Sequence, residues 1–194
     1  LIADVPVVWI PASCVAWEPS RSTVHAVLDA RARRPHTVLD LDWRPMFWSS
    51  PAEASEHIAP LLDRVTIAIG NRAECEIAVG TGDPDEAADR LLARGLQTAI
   101  VKLGADGVLV ATADGVRERI PPFEIDLVCG LGSGDAFGGA LCHALVHGHD
   151  LVDGARRGNA AGAIVAGRMM CADDMPTIHD IDALLQGTGG TTHS

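Results

Sequence analysis

Short apolar blocks and longer amphipathic segments alternate along this chain. Runs of about five apolar residues, rich in Val and Ile, are typical of buried strands. They predict strands over residues 5–10, 37–41, 65–69, 98–103, 108–111 and 116–120. Apolar residues three and four positions apart predict helices, and these cover 50–63, a short segment with Glu74 and Glu76, 83–95, 134–147, 151–170 and 178–186. A further helix begins at Ser20 or Ser22 and ends at Arg34.

This alternation predicts an α/β fold with a mostly parallel sheet that helices cover on both faces. Asp114 and Gly115 predict a hairpin between the last two strands. We expect one domain over residues 1–186 and a flexible tail over 187–194. Because the chain starts without Met and enters a strand almost at once, we expect it to be a piece of a longer protein.

The composition narrows the classes of partner. The net charge of −11 argues against binding to nucleic acid or to an anionic membrane surface. No apolar run is long enough for a membrane span, and no leader pattern opens the chain. The five cysteines are odd in number and form no Cys-x-x-Cys pair. This favours free thiols, and therefore a cytoplasmic location.

A glycine-rich stretch at residues 128–139 carries the clearest chemistry. Gly130, Gly132 and Gly134 alternate with other residues, Ser133 lies among them, and Asp135 follows at the start of a predicted helix. Glycines and a helix N-terminus leave backbone amides free for an anion. A carboxylate beside such a site suits a base that deprotonates a hydroxyl as it attacks a phosphoryl group. The alternative is a plain helix start in which Asp135 only complements the dipole.

Two well-known nucleotide motifs do not fit this stretch. A Walker A loop requires Gly-Lys-Ser/Thr, which is missing after the glycines. A dinucleotide fingerprint requires a third glycine where Asp135 stands.

Asn71 and Glu74 follow a predicted strand and lie three residues apart, so both face one side of the next helix. Their oxygens suit Mg²⁺ or its bound waters. The same spacing also fits a capping box, in which each side chain accepts a hydrogen bond from the other residue's amide. The spacing alone favours the capping box.

Two further segments allow a structural and a functional interpretation. Lys102, the single lysine of the chain, precedes a turn that contains Gly104 and Gly107, which is typical of a hairpin with a surface lysine. The lysine could equally neutralise phosphate charge. Asn159 lies among small residues that suit close helix packing.

The segment Gly132-Ser133-Gly134-Asp135-Ala136-Phe137 resembles the signature Asp-Thr-x-Gly-Ala-Gly-Asp-x-Phe of the ribokinase-like (PfkB) carbohydrate kinases. Cys129 and Gly130 stand where the family usually has Asp and Thr. The variant here is most similar to the branch that phosphorylates 5-dehydro-2-deoxygluconate in inositol breakdown. The resemblance covers about residues 1–180 and implies a ribokinase-like three-layer α/β/α fold without the N-terminal lid portion.

The resemblance also implies an activity and its residues. It implies transfer of a phosphoryl group from ATP to a primary hydroxyl of a sugar or sugar acid, with Mg²⁺ as cofactor. It implies Asp135 as the base, and the amides of Gly132, Ser133 and Gly134 as the anion hole. Asn71 and Glu74 are the implied magnesium residues, and the implied nucleotide contacts are Lys102, Gly104, Gly107 and Asn159. The segment from Asp40 to Trp48 resembles a pocket-shaping motif in which Asp40 pairs with Arg44.

Two other functions stay open at this stage. The chain could be a nucleotide-binding fragment that is catalytically incomplete, and its exposed sheet edge predicts a homo-oligomer. The glycine stretch also has a faint similarity to an S-adenosylmethionine-dependent methyltransferase loop. That hypothesis requires the loop to follow the first strand of the sheet.

Overall fold

Six strands form one sheet, and their order in space is their order along the chain. In the computed structural model, which describes residues 2–169 and 172–188, β1 to β4 pair in parallel and β5 runs antiparallel to β4. This confirms the predicted mostly parallel sheet. The strands are β1 (Val8–Pro11), β2 (Thr37–Asp40), β3 (Ile67–Asn71), β4 (Thr98–Lys102), β5 (Val108–Thr112) and β6 (Arg117–Ile120).

The described residues divide into two compact units, 2–119 and 120–188. The helices of the first unit are α1 (Ser20–Arg31), α2 (Pro51–Ile58), α3 (Arg72–Val79) and α4 (Pro84–Ala93). Right-handed connections between parallel strands in sequential order bring the connecting helices to one face of the sheet. Side chains such as Leu39 and Ala68 join the helices in one core. Val38 and Ile67, which alternate with them and face the other way, are also fully buried.

The second unit contains α5 (Ser133–Val146), α6 (Leu151–Ala166) and α7 (Ile178–Thr188). Small side chains on α5 and α6, among them Ala136, Ala140 and Ala161, share a core with Ile181 of α7. Short side chains let two helices approach closely, because little separates their backbones. This explains why the segment is rich in Ala and Gly.

Several boundaries differ from those that the sequence predicts. α1 ends at Arg31 because Ala32 and Arg33 adopt left-handed backbone, with φ values of 47° and 56°. α2 ends at Ile58 and continues as a 3-10 segment that contains Pro60, whose nitrogen cannot donate to the helix ladder. β3 continues through Gly70 and Asn71, which were expected to close it.

The C-terminal helices differ as well. α6 ends at Ala166 rather than at residue 170, and residue 170 and Cys171 lie outside the described residues. α7 includes Gly187 and Thr188, which the sequence assigned to a flexible tail. The rest of that predicted tail, 189–194, also lies outside the described residues. No helix within 2–169 or 172–188 combines the length and the apolar character that a membrane span needs.

Candidate active site

Charged side chains collect where β2, β3 and β4 end. Asp40, Asn71 and Lys102 are the last residues of these three strands, and Asn71 pairs in register with Lys102. The Lys102 ammonium lies 3.9 Å from an oxygen of Asp40 and 3.7 Å from an oxygen of Glu74. The carboxyl ends of parallel strands are where α/β sheets bind ligands. The first unit therefore presents Lys102 beside the carboxylates of Asp40 and Glu74 at this edge.

The carboxyl of Asp40 has a pKa well above that of an ordinary aspartate. Burial raises the pKa of its carboxyl to about 6, and the Lys102 ammonium opposes the shift without cancelling it. The negative charges of Glu74 and Asp42 raise the pKa further. Asp40 therefore gains a proton more easily than an exposed aspartate does.

Asp42 has a different set of partners. The hydroxyl of Ser13 donates to Asp42, and the Arg44 Nε–H donates to its other oxygen at 2.7 Å. The sequence suggested that Arg44 pairs with Asp40, and the structure corrects this, because Asp40 pairs with Lys102. Asp42 lies beyond the strand end, within reach of Arg44, which is only two residues away.

Asn71 and Glu74 form a capping box at the start of α3. The Glu74 N–H donates to the Asn71 side chain at 3.0 Å, and the Asn71 N–H donates to Glu74 Oε2 at 2.6 Å. The capping box that the spacing favoured is therefore present. It does not exclude a role of Glu74 in magnesium binding, because a carboxylate has about four lone-pair positions and this cap uses one.

The geometry limits how Mg²⁺ could bind here. Among the described residues, no group of three or more His, Cys, Asp or Glu side chains could hold a metal ion. Mg²⁺ commonly keeps several waters and uses one or two protein oxygens together with substrate phosphates. The free lone pairs of Glu74 fit a metal-bound water in such an arrangement, whereas a fully protein-bound ion does not fit.

The predicted turn between β4 and β5 is present, with Gly104 exposed and Gly107 buried. Gly104 and Gly107 have φ values of 64° and 86°, a conformation that glycine adopts without strain. The Leu103 N–H donates to the Gly107 carbonyl at 2.8 Å, which closes the turn. No heavy atom lies within 4 Å of where a side chain on Gly104 would begin. A ligand could therefore approach this backbone closely.

In the second unit, the glycine stretch leads directly into α5. Gly132 is the residue before the helix, with φ 82°, and no side chain caps the helix start. The Ser133 hydroxyl donates to the Gly130 carbonyl at 2.8 Å, and the Ser133 N–H makes a longer contact of 3.4 Å to the same carbonyl. The helix start thus lacks the side-chain oxygen that commonly satisfies the first helix amides.

Asp135 lies in the first turn of α5 and is exposed. It lines a cavity of about 420 Å³ whose wall is mostly apolar and includes Ala136, Ile178 and Ile181. His143 and Arg157 also line it. An exposed carboxylate that lines a cavity can meet a substrate hydroxyl, as the base hypothesis requires.

Asn159 lies on α6 and its amide donates to the Pro121 carbonyl at 2.9 Å. The neighbouring Gly158 packs against the ring of Phe137 so closely that a side-chain Cβ would come within 2.9 Å of it. Close helix packing is thus present, and the Asn159 side-chain NH₂ has a protein partner. The side-chain oxygen of Asn159 remains able to accept a hydrogen bond from a nucleotide base.

Within the first unit, the structure brings together Asn71, Glu74 and Lys102, with the Gly104–Gly107 turn directly after the lysine. Within the second unit, it brings together Gly132, Ser133, Gly134 and Asp135. The sequence missed the pairing of Lys102 with Asp40. Both residues lie near the ends of predicted strands, but the pairing also depends on the strand order, which the sequence did not give.

Comparison with known proteins assigns the family. Residues 15–178 match the family described as pfkB family carbohydrate kinase. The 5-dehydro-2-deoxygluconokinase of Photobacterium profundum is 35% identical over 182 residues, which are 91% of this chain and 55% of that protein. The chain thus spans about half the length of the curated relatives that it matches.

Two solved structures have the same fold. Fructokinase from Vibrio cholerae O395, with fructose, ADP and calcium bound, superposes with a TM-score of 0.83 at 22% identity, over 95% of this chain and 64% of that one. A ribokinase-like protein from E. coli, in complex with ATP and Mg²⁺, superposes with a TM-score of 0.85 at 21% identity, over 96% and 60%. The predicted ribokinase-like fold is confirmed, and this chain belongs to the PfkB family of carbohydrate kinases.

Proposed function

We propose that this chain provides the phosphoryl-transfer part of an ATP-dependent carbohydrate kinase. The observation that carries the proposal is Asp135, an exposed carboxylate in the first turn of a helix whose start no side chain caps. A base and an anion hole within four residues of chain meet the two chemical needs of phosphoryl transfer to an alcohol. The family assignment supports the same reaction.

In this mechanism Asp135 accepts the proton of the acceptor hydroxyl as its oxygen attacks the γ-phosphorus of ATP. The amides of Gly132, Ser133 and Gly134 stabilise the negative charge that develops on the phosphoryl oxygens. ADP leaves with the electrons of the broken bond between phosphorus and the bridging oxygen. The phosphorylated acceptor then departs, and Asp135 returns its proton to solvent.

Mg²⁺ would neutralise phosphate charge during the transfer. Asn71 and Glu74, which the capping box and Lys102 hold in place, would bind it through water. The backbone of Gly104 and Gly107, the Asn159 side chain and Lys102 contribute to nucleotide binding. These roles rest on the family resemblance and on the exposed backbone of Gly104.

The proposed acceptor is 5-dehydro-2-deoxy-D-gluconate, or a closely related sugar acid. The support is the identity to a 5-dehydro-2-deoxygluconokinase across 91% of this chain. A methyltransferase function is not supported. The glycine stretch at 128–134 follows β6, the last strand of the sheet, whereas that hypothesis requires it to follow the first.

The test is Asp135→Asn in the protein at its full natural length. Asn keeps the size of the side chain and removes its basicity, so we expect phosphorylation to fall by at least ~10²–10⁴-fold. The affinity for an ATP analogue should change little. A coupled assay of ADP release measures the rate of phosphorylation, and calorimetry with the analogue measures its affinity.

Glu56→Gln is the matched control, because it makes the same chemical change on the exposed face of α2. It should leave the rate of phosphorylation and the affinity for the analogue unchanged. If Asp135→Asn retains turnover within tenfold of the unaltered protein, Asp135 is not the base.

A further inference from the structure

Lys102 has surroundings that a phosphate-binding lysine would not be expected to have. Its ammonium lies within 4 Å of two carboxylates, Asp40 and Glu74. All three side chains are largely buried, with 21% of Lys102, 14% of Asp40 and 12% of Glu74 exposed. One positive charge therefore faces two negative charges, and little of it is left to attract a third anion.

The distances describe the kind of contact. At 3.7 and 3.9 Å, the ammonium is within ion-pair range of both carboxylates but beyond direct hydrogen-bond range. Such a contact fixes two carboxylates relative to each other through charge. The backbone N–H of Asn71 also donates to Glu74 Oε2 at 2.6 Å, so two groups restrain the Glu74 side chain.

Without Lys102, two largely buried carboxylates would face each other with no compensating charge. Asp42 adds a third acidic group nearby, but its partners are Ser13 and Arg44. Repulsion would then favour a rotation of Glu74 toward solvent. That rotation would move the oxygen that Glu74 offers to a metal-bound water.

We infer that Lys102 is a positioning residue, which holds Glu74 and Asp40 in place through its ammonium and does not itself bind the phosphates of ATP. This inference rests on the proposed function, and it assigns to the single lysine an indirect role at the metal-dependent part of nucleotide binding. Partners that orient a metal-binding group typically change metal affinity or activity by about 10–100-fold when they are removed.

Calorimetry with the non-hydrolysable analogue AMP-PNP separates the two roles. Lys102→Met in the full-length protein should weaken binding of AMP-PNP by about 10–100-fold in the presence of Mg²⁺. In EDTA, without free divalent metal, the same substitution should leave the affinity within about threefold. If Lys102 contacts the phosphates directly, the affinity falls by the same factor in both conditions, and the inference is wrong.

A double substitution gives a second readout. If Lys102 acts through Glu74, Lys102→Met should cost much less in a Glu74→Gln protein than in the unaltered one, both in Mg²⁺-dependent affinity and in kcat/KM. Additive effects would contradict the inference. Lys102→Arg, which keeps the charge, should restore most of the affinity, and Arg34→Met on an exposed ion pair is the control for general loss of charge.

The outcome also separates this inference from the proposed function. If the unaltered protein phosphorylates no sugar and binds no AMP-PNP, the kinase proposal fails and the inference fails with it. If the protein is active and Lys102→Met acts equally with and without Mg²⁺, only the inference fails. Thermal unfolding of Lys102→Met and Asp40→Asn, alone and combined, tests the ion pair without any nucleotide, and additive shifts would reject the pair.

Discussion

Asp40 shows how burial and charge compete at a single residue. The loss of solvent around its carboxyl raises the pKa from 3.8 to about 6, even though the Lys102 ammonium lies 3.9 Å away. The folded protein thus binds a proton at Asp40 more tightly than the unfolded chain does. Between these two pKa values, the unfolding free energy falls as the pH rises. Above pH 6 the ionised carboxylate therefore destabilises the fold.

This predicts that Asp40→Asn stabilises the protein at high pH. Asn cannot ionise, so at pH 8 we expect the unfolding free energy to rise by roughly 1–3 kcal/mol. At pH 4.5 the folded protein keeps Asp40 largely neutral while the unfolded chain already ionises there, so the gain should be clearly smaller than at pH 8. Urea unfolding in a chelating buffer at the two pH values measures both numbers.

Glu56→Gln, on the exposed face of α2, is the control and should show no such pH dependence. A gain of the same size at pH 4.5 and pH 8, or a loss at pH 8, would contradict the account of Asp40.

Among the secondary structure elements, those with a clear local signal were predicted best. Pro at the start of α2 and α4, preceded by Ser50 and Asp83 as caps, fixed both beginnings to within a residue. The end of α1 was missed, because Ala32 and Arg33 adopt left-handed backbone without the glycine that usually marks it. The strand order was also beyond reach, since it depends on contacts between distant segments.

The candidate site follows the same division between local and distant contacts. The capping box of Asn71 and Glu74 and the glycine start of α5 are local, and the sequence predicted both. The pairing of Lys102 with Asp40 joins residues 62 positions apart and was missed. Local hydrogen bonds can be derived from spacing, whereas ion pairs across a sheet require the register.

The contact between α5 and α6 gives the prediction at the scale of an element. Gly158 of α6 lies where a Cβ would come within 2.9 Å of three ring carbons of Phe137, which is buried on α5. We expect Gly158→Ala to lower the unfolding free energy by roughly 1–3 kcal/mol, because a tightly packed site cannot accept the added methyl. Chemical denaturation followed by circular dichroism measures it.

Gly139→Ala is the matched control on the partner helix. Nothing lies within 4 Å of the position of its Cβ, and Gly139 is exposed. The substitution should raise stability by roughly 0.5–1 kcal/mol, since alanine is the better helix former. Equal losses for the two variants would mean that Phe137 does not limit the approach of the helices.

At the scale of the whole molecule, the relevant feature is how much of its relatives this chain covers. Residues 1–194 cover 55% of the Photobacterium relative and 64% of the fructokinase chain. A kinase must also recognise its acceptor, and a site that hydrogen-bonds the polar groups of one acceptor rejects analogues that lack them. The protein at its full natural length is therefore the one on which selectivity for the acceptor is to be measured.

We predict that the full-length protein prefers 5-dehydro-2-deoxy-D-gluconate over fructose and ribose by at least ~10²-fold in kcat/KM. A site that hydrogen-bonds the carboxylate of a sugar acid leaves those polar groups unpaired when a sugar without a carboxylate binds. A coupled assay of ADP release with each acceptor measures the ratios. The 194-residue chain, assayed in parallel with AMP-PNP calorimetry, tests the alternative that it binds nucleotide without turnover. A preference for fructose would reject the proposed acceptor and leave the role of Asp135 intact. If Asp135→Asn phosphorylates none of the acceptors, that result tests the base and not the choice of acceptor.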